Sequence, residues 1–119
     1  MTINRDMAKE AREFYKTYAY DGAVAVDTGT KRYYAHDNSV LSSIEAYIGT
    51  APVGSTLNIR VNKNGSSATT LSIQAAATSF ESTTNISFNK GDYVTVDITQ
   101  VGSSTAGSDL RINFTFRKT

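Results

Sequence analysis

From Leu57 to the end of the chain, apolar side chains recur at every second position. Leu57, Ile59 and Val61 alternate with Asn58, Arg60 and Asn62, and Leu71 and Ile73 with Thr70, Ser72 and Gln74. Ile86 and Phe88 alternate with Asn85 and Ser87, and Val94, Val96 and Ile98 with Thr95, Asp97 and Thr99. Leu110, Ile112, Phe114 and Phe116 alternate with Arg111, Asn113, Thr115 and Arg117. A period of two sends one set of side chains to a core and the other to water, the pattern of half-buried antiparallel strands. Weaker strand patterns cover 23–26, 31–35 and 40–48. Asn64-Gly65 suits a tight turn with positive φ at both central positions and predicts a hairpin joining 56–63 to 67–74. Lys90-Gly91-Asp92 marks another turn, and 102–107 a polar loop. About eight short strands with such punctuation predict a mainly β, antiparallel two-layer sandwich or jelly roll.

Residues 3–18 read differently. Ile3, Met7, Ala11, Phe14, Tyr15 and Tyr18 share one face of a helical wheel, opposite Arg5, Lys9, Arg12 and Lys16. Asp6, Glu10 and Glu13 lie between the two stripes, at spacings that let opposite charges support a helix. Asn4 or Thr2 suits the N-cap, and Gly22 a stop. The expectation is one N-terminal amphipathic helical arm over 1–21, followed by a β-sandwich over 22–119. A lone helix of this length is marginal in water, so its aromatic face needs cover. That cover is either the chain's own sandwich or another molecule. The second option makes Ile3, Met7, Ala11, Phe14, Tyr15 and Tyr18 a partner-docking face.

Composition excludes several functions. The 119 residues suit one domain. No cysteine is present, which removes disulfide frameworks, thiol nucleophiles, Cys-type zinc sites and iron–sulfur sites. Twelve basic against eleven acidic side chains give no global attraction to nucleic acid or an anionic membrane. No apolar run reaches the length of a membrane span, and the first thirty residues contain no signal-peptide core, so cytoplasmic synthesis without membrane insertion is expected. Serine and threonine number 29 and suit the solvent faces of strands.

Catalytic and metal signals are weak. His36 is the one histidine, and no nucleophile elbow accompanies it. One histidine without cysteine cannot complete a protein-only zinc site, and no calcium-loop motif occurs. Asp92, Asp97 and Asp109 could share a calcium ion only if the fold gathers them. No glycine-rich phosphate loop occurs. Arg60, Lys63, Arg111 and Arg117 are spaced out rather than interleaved with aromatics, unlike a single-strand nucleic-acid groove. Tyr33 and Tyr34, on one strand, must point to opposite faces. The residues therefore point to a non-enzymatic chain with no cofactor and no catalytic or metal residues.

Residues 31–116 resemble a β-sandwich module of tailed-bacteriophage structural proteins, notably those of marine and cyanobacterial phages. The resemblance rests on Arg32-Tyr33-Tyr34, the run 44–55 with its Gly49-Thr50-Ala51-Pro52-Val53-Gly54-Ser55, and 57–65 with Asn62-Lys63-Asn64-Gly65. Lys90-Gly91-Asp92 and 97–102, with its Gln100-Val101-Gly102, continue it. Pro52, Gly54, Asn64, Gly65 and Gly91 stand in it as turn residues. The resemblance implies a virion structural role in tail fibres, head fibres or capsid decorations, built from homo-oligomers, with trimers one option. Its partners are other capsid or tail proteins. Because fibre proteins of this kind are usually longer, a small subunit seated on the particle through its N-terminal helix is favoured. The alternative is a fibre tip that binds a host surface receptor or glycan.

Overall fold

The computed structural model describes residues 12–119. It contains eight strands: β1 Glu13–Ala23, β2 Tyr33–Tyr34, β3 Ser39–Thr50, β4 Leu57–Lys63, β5 Ser66–Ile73, β6 Ser79–Phe88, β7 Tyr93–Gln100 and β8 Ser108–Lys118. One sheet runs β1-β8-β3-β6 and the other β2-β7-β4-β5. All of the pairings are antiparallel, and β1 joins β8, β2 joins β7, β3 joins β6 and β4 joins β5. The chain is thus one long hairpin, centred on the β4–β5 turn and rolled so that successive levels fall in opposite sheets. This nesting is the strand order of a jelly roll.

The period-two pattern determines what the two sheets enclose. Leu57, Ile59, Val61, Leu71, Ile73, Val94, Val96 and Ile98 from one sheet are buried against Leu41, Ile44, Ala46, Ile48, Leu110, Ile112, Phe114 and Phe116 from the other. In β3 the apolar parity changes from odd at Leu41 to even at Ile44. A bulge absorbs the extra residue there, since β3 advances from Leu41 to Ser43 while β8 moves only from Phe116 to Thr115. The bulge is held by hydrogen bonds from Ser42 Oγ to Thr115 O and from Thr84 Oγ1 to Leu41 O.

From Glu13 on, the expected helix is replaced by strand. Glu13–Ala23 is a strand that crosses the 21/22 division and pairs along β8. Phe14, Lys16, Tyr18 and Tyr20 face inward, opposite Phe116, Phe114, Ile112 and Leu110. Phe14 stacks on Phe116 with centroids 4.9 Å apart, and Tyr18 meets Tyr33 edge-on at 6.4 Å. Burial, together with the nearby negative charge of Asp27, pushes the Tyr18 phenol up to about 12. Phe14 and Tyr18 are therefore core residues of this chain and not a docking face. Tyr15 projects to the outer side, with its hydroxyl donating to Glu13. Ile3, Met7 and Ala11 lie outside the described residues.

The misreading has a physical cause. A spacing of four, as between Phe14 and Tyr18, places two residues on one face of either a helix or a strand. The neighbouring Tyr15, Thr17 and Tyr20 favour a pleated surface. β8 offers a ladder of nine residue pairs, and a short isolated helix has no gain to match it.

Truncating Phe14 therefore removes core packing. Phe14→Ala is expected to lower the unfolding free energy by about 2–3 kcal/mol, less than a fully buried Phe because Phe14 is half-buried. Urea unfolding checks this, and an unchanged midpoint contradicts β1 as an integral strand.

Candidate functional site

Of the turn residues expected from the sequence, Asn64, Gly65 and Gly91 lie in turns and Gly54 in a bend, while Pro52 precedes the isolated bridge at Val53. Asn64 and Gly65 have φ of 51° and 86°, the two positive values that a tight hairpin between β4 and β5 requires. Asn64 also ties this hairpin to the β6–β7 turn. Its side chain donates to Asp92 Oδ1 and accepts from the Tyr93 amide, and its own amide donates to Tyr93 O. The Asn89 amide and the Asn64 side chain hold the Asp92 carboxyl below its ordinary value. Gly91 closes that turn with φ 92°. Pro52 O accepts from the Ala76 amide, and Gly54, φ 92°, faces the 103–104 loop.

Beside these turns, the outer face of the β2-β7-β4-β5 sheet carries an open cleft of about 420 Å³. Its floor is a two-by-two block across β4 and β7, with Arg60 opposite Asp97 and Asn62 opposite Thr95. Its wall is the segment 28–32. Asp27 pairs with Ile98 and Tyr33 with Val94, so the chain takes six steps where β7 takes four. The two surplus residues bow the segment over the sheet face. Gly29 lies so close that a Cβ would sit 1.8 Å from Val96 O, so no other residue fits without displacing the wall.

Asp97 organises this block. It is 5% exposed, yet its carboxylate is fully partnered. Oδ2 accepts from Arg60 Nε at 3.1 Å, Arg60 Nη2 at 2.8 Å and Asn62 Nδ2 at 3.0 Å, while Oδ1 accepts the Gly29 amide at 2.9 Å. Burial acts to raise its pKa, but the hydrogen bonds from Asn62, Arg60 and Gly29 and the charge of Arg60 outweigh it and hold the carboxyl below its ordinary value. Four donors occupy about all the lone pairs that a carboxylate offers. Asp97 is a clasp between sheet and wall.

Arg32 forms the rim. Its guanidinium lies 4.3 Å from the centre of the Tyr93 ring, with a long 3.4 Å contact to the Tyr34 hydroxyl. That cluster divides the Tyr33-Tyr34 pair as a strand must. Tyr33 packs inward near Phe114, and Tyr34 stands exposed beside Tyr93.

The other candidates are dispersed. His36 is exposed, lies against Phe14 and meets Lys16 Nζ through Nε2 at 2.6 Å. Asp92 sits at a turn, Asp97 in the cleft and Asp109 on the other sheet, where it accepts the Gly22 amide. Among the described residues no three His, Cys, Asp or Glu side chains converge. Asn62 and Asp97, polar residues inside strong strand patterns, are the one local trace of the cleft. Arg32 and the bowed wall carried no signal, because their placement depends on long-range pairing.

No family model and no curated protein matches the sequence. Solved structures do match. A capsid structure of the Helicobacter pylori bacteriophage KHP30 aligns with a TM-score of 0.60 at 10% identity, over 88% of this chain and 86% of that one. A family 35 carbohydrate binding module from Clostridium thermocellum aligns at 0.51 and 11% identity, over 90% and 92%. The globular domain of zebrafish complement 1qA protein aligns at 0.52 and 10%, over 89% and 96%. At such identities the likeness establishes a shared sandwich fold and no more.

Asp97 links the cleft to acid stability. A carboxyl whose folded pKa is depressed lends stability above its unfolded value and loses it as the pH falls through the folded one. Asp97→Asn is expected to cost about 2 kcal/mol at neutral pH, from hydrogen bonds to a charged group. It should also flatten the loss of stability below about pH 4. Urea midpoints of both proteins between pH 2 and pH 7 check this, and parallel acid limbs contradict the assignment.

Proposed function

We propose that this chain is a non-enzymatic structural protein of a bacteriophage virion, a small decoration or tail-associated subunit that displays its sandwich on the particle as a homo-oligomer. The observation that carries the reading is the alignment of nearly the whole chain, 88%, with a phage capsid protein of similar size. The resemblance of 31–116 to phage sandwich modules supports it independently, since it rests on sequence order rather than on shape. Among the residues behind that resemblance, Asn64, Gly65 and Gly91 lie in turns, which suits an architectural role.

The mode of attachment expected from the sequence is revised. Phe14 and Tyr18 are consumed by the chain's own core and are not available to grip a neighbour. Seating on the particle is proposed to use surface other than Phe14 and Tyr18.

Particles purified through a density gradient from lysates of the producing bacterium should contain the chain in fixed stoichiometry with the major capsid or tail protein. Quantitative mass spectrometry reads this. Recovery of the chain only from the particle-free fraction contradicts the proposal.

A further inference from the structure

We propose that the cleft between the bowed segment 28–32 and the β4–β7 floor binds an acidic saccharide, a sugar unit carrying a carboxylate. The proposal takes up the glycan reading of the sequence and stands independently of where the chain sits in a particle.

The donors that remain free define the ligand. A guanidinium has five N–H donors. Asp97 occupies two of those on Arg60, leaving three on a side chain that is 45% exposed. Arg32 lies on Tyr93 and has no carboxylate partner among the described residues. Both arginines are held in place, one by a saturated carboxylate and the other by an aromatic ring, so little side-chain freedom is lost on binding. Asp97 cancels one of the two positive charges and leaves the lining with a net charge of about +1. One planar anionic group fits that balance, and guanidinium edges match the two oxygens of a carboxylate.

The rest of the lining suits hydroxyl groups. Asn62 spends its amide nitrogen on Thr95 Oγ1 and Asp97 Oδ2, which leaves its oxygen to accept. Thr28 and Thr30 add hydroxyls from the wall. Other ligands fit less well. The cleft has room for on the order of a dozen waters at ~30 Å³ each, and one inorganic anion would fill a small part of it. A nucleobase needs an open aromatic face, and the Tyr93 ring in the lining is covered by Arg32. An apolar peptide side chain would find the Tyr93 ring as its one large apolar neighbour among the lining residues.

The test uses the full chain and titration calorimetry with oligogalacturonate, oligoalginate and oligohyaluronate, their carboxyl-reduced counterparts, and inorganic phosphate. At least one acidic oligosaccharide should bind saturably, and its carboxyl-reduced form at least tenfold more weakly. Arg32→Ala should weaken binding about tenfold, with the unfolding midpoint unchanged because Arg32 is exposed. Arg32→Lys, which keeps the charge but not the planar fork, should fall between the two. Three results overturn the proposal: no acidic oligosaccharide binds, Arg32→Ala binds as tightly as the parent, or phosphate competes as well as the sugar. Each of these leaves the virion assignment intact, since that is read from particle composition.

Discussion

The first and last of the described strands meet at Phe116. It is fully buried, with Phe14 stacked on one side at 4.9 Å and Phe88 edge-on at 5.3 Å. β8 can present Phe116 and Phe114 to the core only if β1 and β3 flank it, because a central strand needs ladder partners on both sides. Once β1 closes on β8, the nesting of β2 on β7, β3 on β6 and β4 on β5 follows from connectivity. The interior is thereby sealed with aliphatic side chains from both layers. Aromatic burial at this point supplies a large share of the driving force, since each large ring removes 150–250 Å² from water.

The cleft is a by-product of how that closure is reached on the second sheet. β2 contributes only two paired residues, Tyr33 and Tyr34, and an isolated bridge at Asp27 completes its hold on β7. Between those points the chain is too long for the ladder and rises over the sheet. A raised segment would leave polar groups of β7 half-covered, which is costly unless each is paired. Asp97 resolves this by accepting from wall and floor together. The same clasp that anchors the wall fixes Arg60 beside a polar space, so a structural need and a recognition surface arise from one carboxylate.

Much of this was legible in the residues. The alternation of Val94-Val96-Ile98 and Leu110-Ile112-Phe114-Phe116 gave two strands with their faces, and Asn64-Gly65 gave the hairpin, though a bulge beyond Asn62 shifts its register. These signals are local: a turn that needs positive φ and a run that repeats every second residue read the same wherever the strand lies. β6 was visible only at its Ile86-Phe88 end, because the rest of this edge strand is Ser, Thr and Asn apart from Phe80 and Glu81, with no alternating apolar run. β1 was hidden by ambiguity, not by weak signal. Phe14 and Tyr18 satisfy both periods, and the charges around them satisfied helical spacing as well. The competing term was the unfilled edge of β8, about a hundred residues away, which no local pattern announces. The cleft was illegible for a related reason: Arg32, Arg60 and Asp97 come together only through the pairing of β2, β4 and β7.

Amide hydrogen exchange followed by NMR addresses the closure of β1 on β8 most directly. If Glu13–Ala23 is the sheet's edge strand, its amides bonded to β8 should exchange with protection comparable to that of β3. Cross-strand Overhauser contacts should also join Phe14 to Phe116 and Tyr18 to Ile112. Unprotected amides over these residues, with helical sequential contacts and none to β8, would contradict the account at its base.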